Sequence, residues 1–164
     1  MEHYVIMGVS GCGKSLIGAA FAAAIGAEFI DGDDLHPDAN RAKMAAGQPL
    51  SDDDRAPWLV SVGQTLGGAK GSVVIGCSAL KRRYRDVIRS QLTQQVMFLH
   101  LTGSRQVLTA RLAARTGHFM PPALLDSQLA ALEPPALDEA AIAVDIDQTP
   151  QAILVELLRK TLLA

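Results

Sequence analysis

Gly8-Val9-Ser10-Gly11-Cys12-Gly13-Lys14-Ser15 fits the spacing G-x-x-x-x-G-K-[ST], a pattern suited to holding phosphate. Glycines at 8, 11 and 13 let backbone N–H groups turn inward onto phosphate oxygens, where Cβ atoms would obstruct. A helix opening at the end of such a loop adds about half a positive charge aimed at the same place. Lys14 would bridge the β- and γ-phosphates and Ser15 would ligate Mg²⁺, with Ser10 and Cys12 completing the cradle. Cys12 itself reads as a small residue tolerated at a variable position rather than a nucleophile. The pattern predicts a nucleoside triphosphate site.

Carboxylates cluster further on, as Asp31-Gly32-Asp33-Asp34. An Asp-x-Asp pair facing the loop can divide the work, one acid assisting Mg²⁺ while the other takes a proton from an attacking hydroxyl. The alternative is an acidic turn that caps the next helix. Asp145 and Asp147 also close an apolar run and are rival metal acids, with Asp31 preferred. No Asn-Lys-x-Asp tetrapeptide occurs to read guanine, and the third apolar run ends at Cys77-Ser78 instead of an aspartate. Arg111 and Arg115, four apart on a stripe continued from Leu108, could clamp transferring phosphate charge. Gly117 would supply a hinge and Pro121-Pro122 stiffen the return of a segment that closes over ATP and excludes water.

Those residues need a scaffold that brings them together. Short, uniformly apolar runs recur at Tyr4–Met7, Phe29–Ile30, Ser72–Ile75, Val96–Leu99 and Ala141–Ile146. Runs of this kind fit strands buried on both faces, as in a parallel sheet. Helical stretches alternate with them: Leu16 to Ile25, Ser104 to Arg115, and a last segment with Thr149 as N-cap and Pro150 at the first helical position. Leu154, Leu157, Leu158 and Leu162 predict one apolar stripe on that last helix. Strand and helix alternating over 164 residues predict a doubly wound α/β domain, with ligands at the carboxyl ends of the strands.

Composition narrows the partners. With 49% apolar and 20% charged residues the chain is globular, and 15 basic against 17 acidic residues give no basic field for nucleic acid or an anionic membrane. Two cysteines make no disulfide framework, which favours a reducing compartment. Met1-Glu2-His3-Tyr4 lacks the basic stretch of a signal peptide, and the uncharged runs, Ser15 to Ala27 among them, are all shorter than the ~20 residues of a membrane span. The expected setting is cytoplasmic.

The chain closely resembles the small bacterial-type gluconokinases, relatives of shikimate and adenylate kinases. Beyond the P-loop, the marks are Asp31 to Pro37, Gly47 to Leu59, Cys77 to Lys81 with Tyr84-Arg85-Asp86, and Gly117-His118-Phe119. Leu124 to Gln128, Leu132-Glu133-Pro134 and Asp145-Ile146-Asp147 complete them. The resemblance implies a P-loop fold with a five-stranded parallel sheet in the order 2-3-1-4-5. It implies one domain over 1–164, with lid and substrate-binding segments inserted at about 33–66 and 112–135. The implied reaction carries the ATP γ-phosphate to the 6-hydroxyl of D-gluconate in a homodimer. By similarity, Asp31 lies nearest the metal and Asp33 holds or deprotonates the hydroxyl. His36 and Arg55 look like substrate-pocket residues, Arg55 being suited to the carboxylate, with Lys81 and Tyr84 at the same pocket. Arg115 is similar to the lid arginine, with Arg111 nearer the adenine. Leu129 stands where the family often has an aromatic.

Plainer roles stay open for several positions. His36 before Pro37 could simply fix a turn, and Ser51-x-x-Asp54 has the form of a capping box, the reading favoured for Asp52 to Asp54. Lys81-Arg82-Arg83-Tyr84-Arg85 reads as a solvated helix start or an anion pocket rather than a nucleic-acid patch. Trp58 reads as a packing anchor and His100 as a core or strand-end residue.

Overall fold

The computed structural model describes residues 1–115 and 121–164. Gly117, expected as the hinge, and the neighbouring Thr116, His118 and Phe119 lie outside the described residues.

Five parallel strands form one sheet: β1 (His3–Met7), β2 (Glu28–Asp31), β3 (Val73–Gly76), β4 (Val96–Thr102) and β5 (Ala141–Asp145). Their spatial order is β2-β3-β1-β4-β5, the order the resemblance implies. Val5 of β1 sits between Ile75 of β3 and Phe98 of β4, so β1 is central and places the loop that follows it at mid-sheet. Alternate β1 side chains serve opposite cores. Tyr4 and Ile6 pack with Ile17 and Phe21 of α1 (Lys14–Ile25) and with Ile153 and Leu157 of α7 (Pro150–Leu163). Val5 and Met7 pack with Trp58, Leu59 and Val62 of α3 (Asp52–Gly67) and with Ile88 of α4 (Arg82–Ser90). A strand covered on both faces has no polar side to show, which is why the runs read as uniformly apolar. The remaining helices are α2 (Asp38–Ala45), α5 (Arg105–Ala114) and α6 (Pro122–Ala131). No helix among the described residues is long and apolar enough to cross a membrane.

Two expectations need correction. The buried stripe of α7 runs through Ile153 and Leu157, flanked by Leu154 and Leu158, while Leu162 is 87% exposed. A step of four from Leu157 reaches Thr161, so Leu162 is rotated off the core-facing line. Arg115 is not on the α5 face that carries Arg111. The helix ends at Ala114, and Arg115 turns extended (φ −72°, ψ 122°), its N–H closing the last turn on Leu112 O at 3.3 Å. Its side chain is exposed and makes no hydrogen bond or ion pair among the described residues.

Candidate active site

β1 delivers the chain into the phosphate loop, where Gly8 takes φ +145°. A Cβ there would lie 2.7 Å from Cys12 Sγ and 2.8 Å from Leu101 O, so no side chain fits. Cys12 is buried beneath the loop, and desolvation pushes its thiol up, as expected of a packing residue. Lys14 reaches back over the loop, its Nζ donating to Gly8 O at 2.9 Å and Val9 O at 3.2 Å. Ser15 stands exposed in the first turn of α1, whose N-terminus points at the same opening.

β2 ends two strands away and supplies the carboxylates. Asp31 caps the 3₁₀ turn Gly32–Leu35 by accepting Asp33 N–H at 3.0 Å, which leaves its other oxygen free for a ligand. Gly32 is forced by close approach, since a Cβ would stand 2.2 Å from Gly76 O. That contact presses the turn against the end of β3 and aims Asp33 into the cleft. Asp33 is open to the cleft yet walled by protein. Desolvation, then the neighbouring Asp31 charge, raises its pKa above the ordinary carboxylate value. Its carboxylate has no hydrogen-bond partner among the described residues.

His36 stacks on Trp58 with ring centroids 4.1 Å apart and 16° between planes. Asn40 Nδ2 lies 3.1 Å from His36 Nδ1 and donates to Asp54 O at 2.8 Å, so the network leaves Nδ1 as acceptor and the ring proton on Nε2. Burial lowers the His36 pKa, which favours this neutral ring. Trp58 Nε1 donates to Gly32 O at 2.8 Å, tying α3 to the carboxylate turn. The anchor role expected of Trp58 is therefore met, and it forms a cleft wall as well. Ser51 and Asp54 form the capping box of α3, and Lys43 pairs with Asp54 at 2.8 Å. The Lys43 ammonium holds the Asp54 carboxyl at about 2.

Arg55 emerges one turn into α3 and reaches the cleft. Its guanidinium lies 3.5 Å from the Asp52 carboxylate and 3.4 Å from Tyr84 OH. Lys81 Nζ stands 5.9 Å from the Tyr84 ring centroid; neither residue lines the cavity, and Tyr84 reaches it only through its bond to Arg55. Asp52 also bonds Arg83 and Tyr84, which makes it a link between α3 and α4 as well as a first-turn acid. The basic run itself is neutralised internally. Arg82 forms a two-pronged pair with Asp138, and Arg85, fully buried, forms another with Glu139.

The outcome is a cavity of about 340 Å³ that brings Ser10, Lys14, Ser15, Asp31, Asp33, His36 and Arg55 to one wall set, with Trp58, Ser78 and Gln128. Arg111 is elsewhere, donating to Ile146 O and to Gln148 O at 3.4 Å beside α7. Asp147 is also outside the cavity, its N–H donating to Asp145 Oδ1 at 2.8 Å at the opposite sheet edge. A second cavity, about 430 Å³, lies under β4 and β5 and is lined by Val9, Leu129, Leu132, Pro134 and Ile142. Its histidine, His100, is held neutral by burial, with a pKa of about 4, and its one acid, Glu139, is spent on arginines. It has no free group for transfer chemistry. Leu129 packs there.

Gln128 was not singled out from the sequence as a site residue. Its signal was present: Leu125 and Leu129 mark the inward face of α6, and Gln128 is the polar side chain between them. Ser78 and Asn40 carried no such signal.

Comparison with known proteins agrees with this fold. The family model described as shikimate kinase matches residues 10–162. The thermosensitive gluconokinase of Escherichia coli strain K12 is 49% identical over 150 residues, spanning 89% of this chain and 80% of that protein. The gluconokinase of Gluconobacter oxydans strain 621H is 46% identical over 158 residues, 94% of this chain and 88% of its own. The crystal structure of a gluconokinase from Sinorhizobium meliloti 1021 superposes with a TM-score of 0.89 at 48% identity, covering 96% of this chain and 90% of that one.

Proposed function

We propose, because the chain belongs to the gluconokinase family, that it is an ATP-dependent kinase carrying the γ-phosphate of ATP to the 6-hydroxyl of D-gluconate, giving 6-phospho-D-gluconate and ADP. One observation carries the reading: the phosphate loop, a carboxylate of raised pKa and a cation suited to a sugar acid share one cavity.

The proposed roles follow from position. The loop N–H groups of Gly11, Gly13 and Ser15 and the Lys14 ammonium hold the triphosphate, Ser10 N–H being taken by Gln128 and Gly8 N–H by Ser78 O, with Arg111 on the adenine side. Arg55, with His36 and with Lys81 and Tyr84 at the rim, fixes gluconate by its carboxylate and hydroxyls. Asp33 then stands as general base toward the 6-hydroxyl, a role its raised proton affinity favours. Arg115 comes over the transferring phosphate from the segment that closes the cleft. Rate arises from holding donor and acceptor in line and from charge stabilisation.

The oxygens of Ser15 and Asp31 suit Mg²⁺, which takes one or two protein ligands and keeps water and phosphate for the rest. When bound by Ser15 and Asp31, Mg²⁺ would neutralise negative charge that develops during transfer.

The proposed setting is a cytoplasmic homodimer of one-domain chains, with the segments at about 33–66 and 112–135 framing the cleft. Two buried, unpaired cysteines, Cys12 and Cys77, support a reducing compartment. Internal pairing of Arg82, Arg83 and Arg85 argues against a nucleic-acid partner. The test is ADP release with Mg·ATP against D-gluconate, shikimate, glycerate, AMP and no acceptor. Turnover confined to gluconate is expected. Turnover with another acceptor would discard the substrate and keep the fold.

A further inference from the structure

We propose that Gln128 is the positioning residue through which helix α6 holds the phosphate loop ready for transfer and closes the γ-phosphate end of the cleft against water. The inference rests on the kinase reading above and names a residue that reading does not use.

Position makes Gln128 unusual. Leu125 is 1% exposed and pins α6 into the core, while Arg105 grips Asp126 from α5 at 2.6 and 3.1 Å. The helix is thus fixed on two sides, and Gln128 hangs from it one turn after Leu125. An apolar residue would extend the packed stripe, whereas an amide there must find partners or pay for desolvation. It finds both on one residue. Gln128 Oε1 accepts Ser10 N–H at 2.8 Å, and Gln128 Nε2 donates to Ser10 Oγ at 3.2 Å. Ser10 is 118 positions away in sequence, inside the phosphate loop, and both residues line the cavity that holds Lys14 and Asp33. The bidentate contact fixes the backbone and the hydroxyl of Ser10 together.

The amide also suits what must enter. It is neutral, so it adds no repulsion where the triphosphate charge gathers, and a carboxylate would. An amide NH₂ has two hydrogens, and only one is engaged by Ser10, which leaves the second for a phosphate oxygen. Gln128 is half-buried on the cavity wall, so truncating it would let water nearer the transferring phosphate.

The experiment compares the wild-type protein with Gln128→Ala, Gln128→Glu and Ser10→Ala. Three readouts are taken: gluconate-dependent transfer, gluconate-independent ATP hydrolysis, and hydrogen exchange of the loop amides without nucleotide. Removing both hydrogen bonds in Gln128→Ala is expected to lower kcat about tenfold. KM for gluconate should hold within about twofold, since uniform binding is untouched. The hydrolysed fraction of ATP should rise several-fold and loop amides should exchange faster. Gln128→Glu should raise KM for ATP. Ser10→Ala should lower kcat by less, and the double variant should fall no further than Gln128→Ala alone. A purely structural Gln128 would cost thermal stability and leave the leak fraction and loop exchange of the folded protein unchanged, and that result overturns the proposal. Wild-type protein inactive on gluconate but with exchange that still responds to Gln128→Ala would fail the substrate reading instead.

Discussion

Replacing Glu139 by Gln should destabilise the fold by more than any surface change, because it strands a buried guanidinium. Arg85 is fully buried, and its Nε and Nη2 donate to Glu139 at 2.8 and 3.0 Å. Arg89 adds a bond at 2.6 Å, and Ala136 N–H a fourth at 2.8 Å. Arg85, with lesser help from Arg89, holds the Glu139 carboxyl at about 2 against the usual 4.5. That depression corresponds to about 3 kcal/mol of stability at neutral pH, complete above pH ~4.5 and lost as pH falls from there toward 2. Leaving a buried charge unpaired costs about 3–5 kcal/mol, in the same range. Urea unfolding, followed through the single tryptophan, Trp58, which is buried at the base of the cleft, reads the change directly. Glu139→Gln should lose about 3 kcal/mol at pH 7 with an unchanged m-value, and its stability should vary less than wild type below pH 4.5. Replacing Arg85 and Glu139 together by Met and Leu should recover most of the loss. Glu139→Gln within 1 kcal/mol of wild type, or a double replacement as unstable as the single one, refutes the reasoning. A functional trace should accompany the loss. Arg85 Nη1 donates to Ala79 O at 2.9 Å, and Ala79 is held at φ +45° in the loop bearing Ser78 and Lys81. KM for gluconate should therefore rise in the single variant, even where the protein is folded.

The other expectations concern the cleft. Asp33→Asn should lower kcat with gluconate by about 10²–10⁴-fold at little change in KM for ATP; a full kcat would remove the base. Because desolvation and Asp31 raise the Asp33 pKa, the acid limb of kcat/KM should lie above the ordinary carboxylate range and vanish in Asp33→Asn. Arg55→Ala should raise KM for gluconate about tenfold or more and leave ATP binding, read by calorimetry, near wild type. Arg115→Ala should lower kcat by about 10³-fold or more if its guanidinium meets the transferring phosphate, and unchanged turnover would take it out of the mechanism.

What the sequence discloses depends on how local the cause is. The phosphate loop is legible because one contiguous segment holds its glycines, lysine and helix start. The inner strands β1 and β3 are legible because burial on both faces erases polar positions within four or five residues. The capping box of α3 is legible at a spacing of three. Arg85 was not: it sits in a basic run that looks solvated, and Glu139 is 54 positions away. Gln128 is marked as a polar break in the inward face of α6, but its partner Ser10, 118 positions away, is not legible. Arg115 misled because helical spacing was carried one residue past the point where α5 ends.

The commitment of the arginines also bears on which acceptor the cleft can take. An acceptor bearing its own phosphate would bring about two further charges to a cleft that already holds Asp31, Asp33 and the triphosphate. Among the described residues, the basic side chains gathered at the Tyr84 ring beside the acceptor end are Arg55, Lys81 and Arg83. Arg83 is bound to Asp52, and Arg82 and Arg85 face away onto Asp138 and Glu139. What remains is Arg55, shared with Asp52, and Lys81 at the rim. That supply matches one carboxylate, with the neutral His36 and the carboxylate of Asp33 left to meet hydroxyls. Charge supply, more than cavity size, therefore selects a polyhydroxy monoacid over a nucleotide acceptor. Removing the competitor, in Asp52→Asn, should lower KM for gluconate by freeing Arg55. A raised KM would mean instead that Asp52 is needed to hold Arg55 in place.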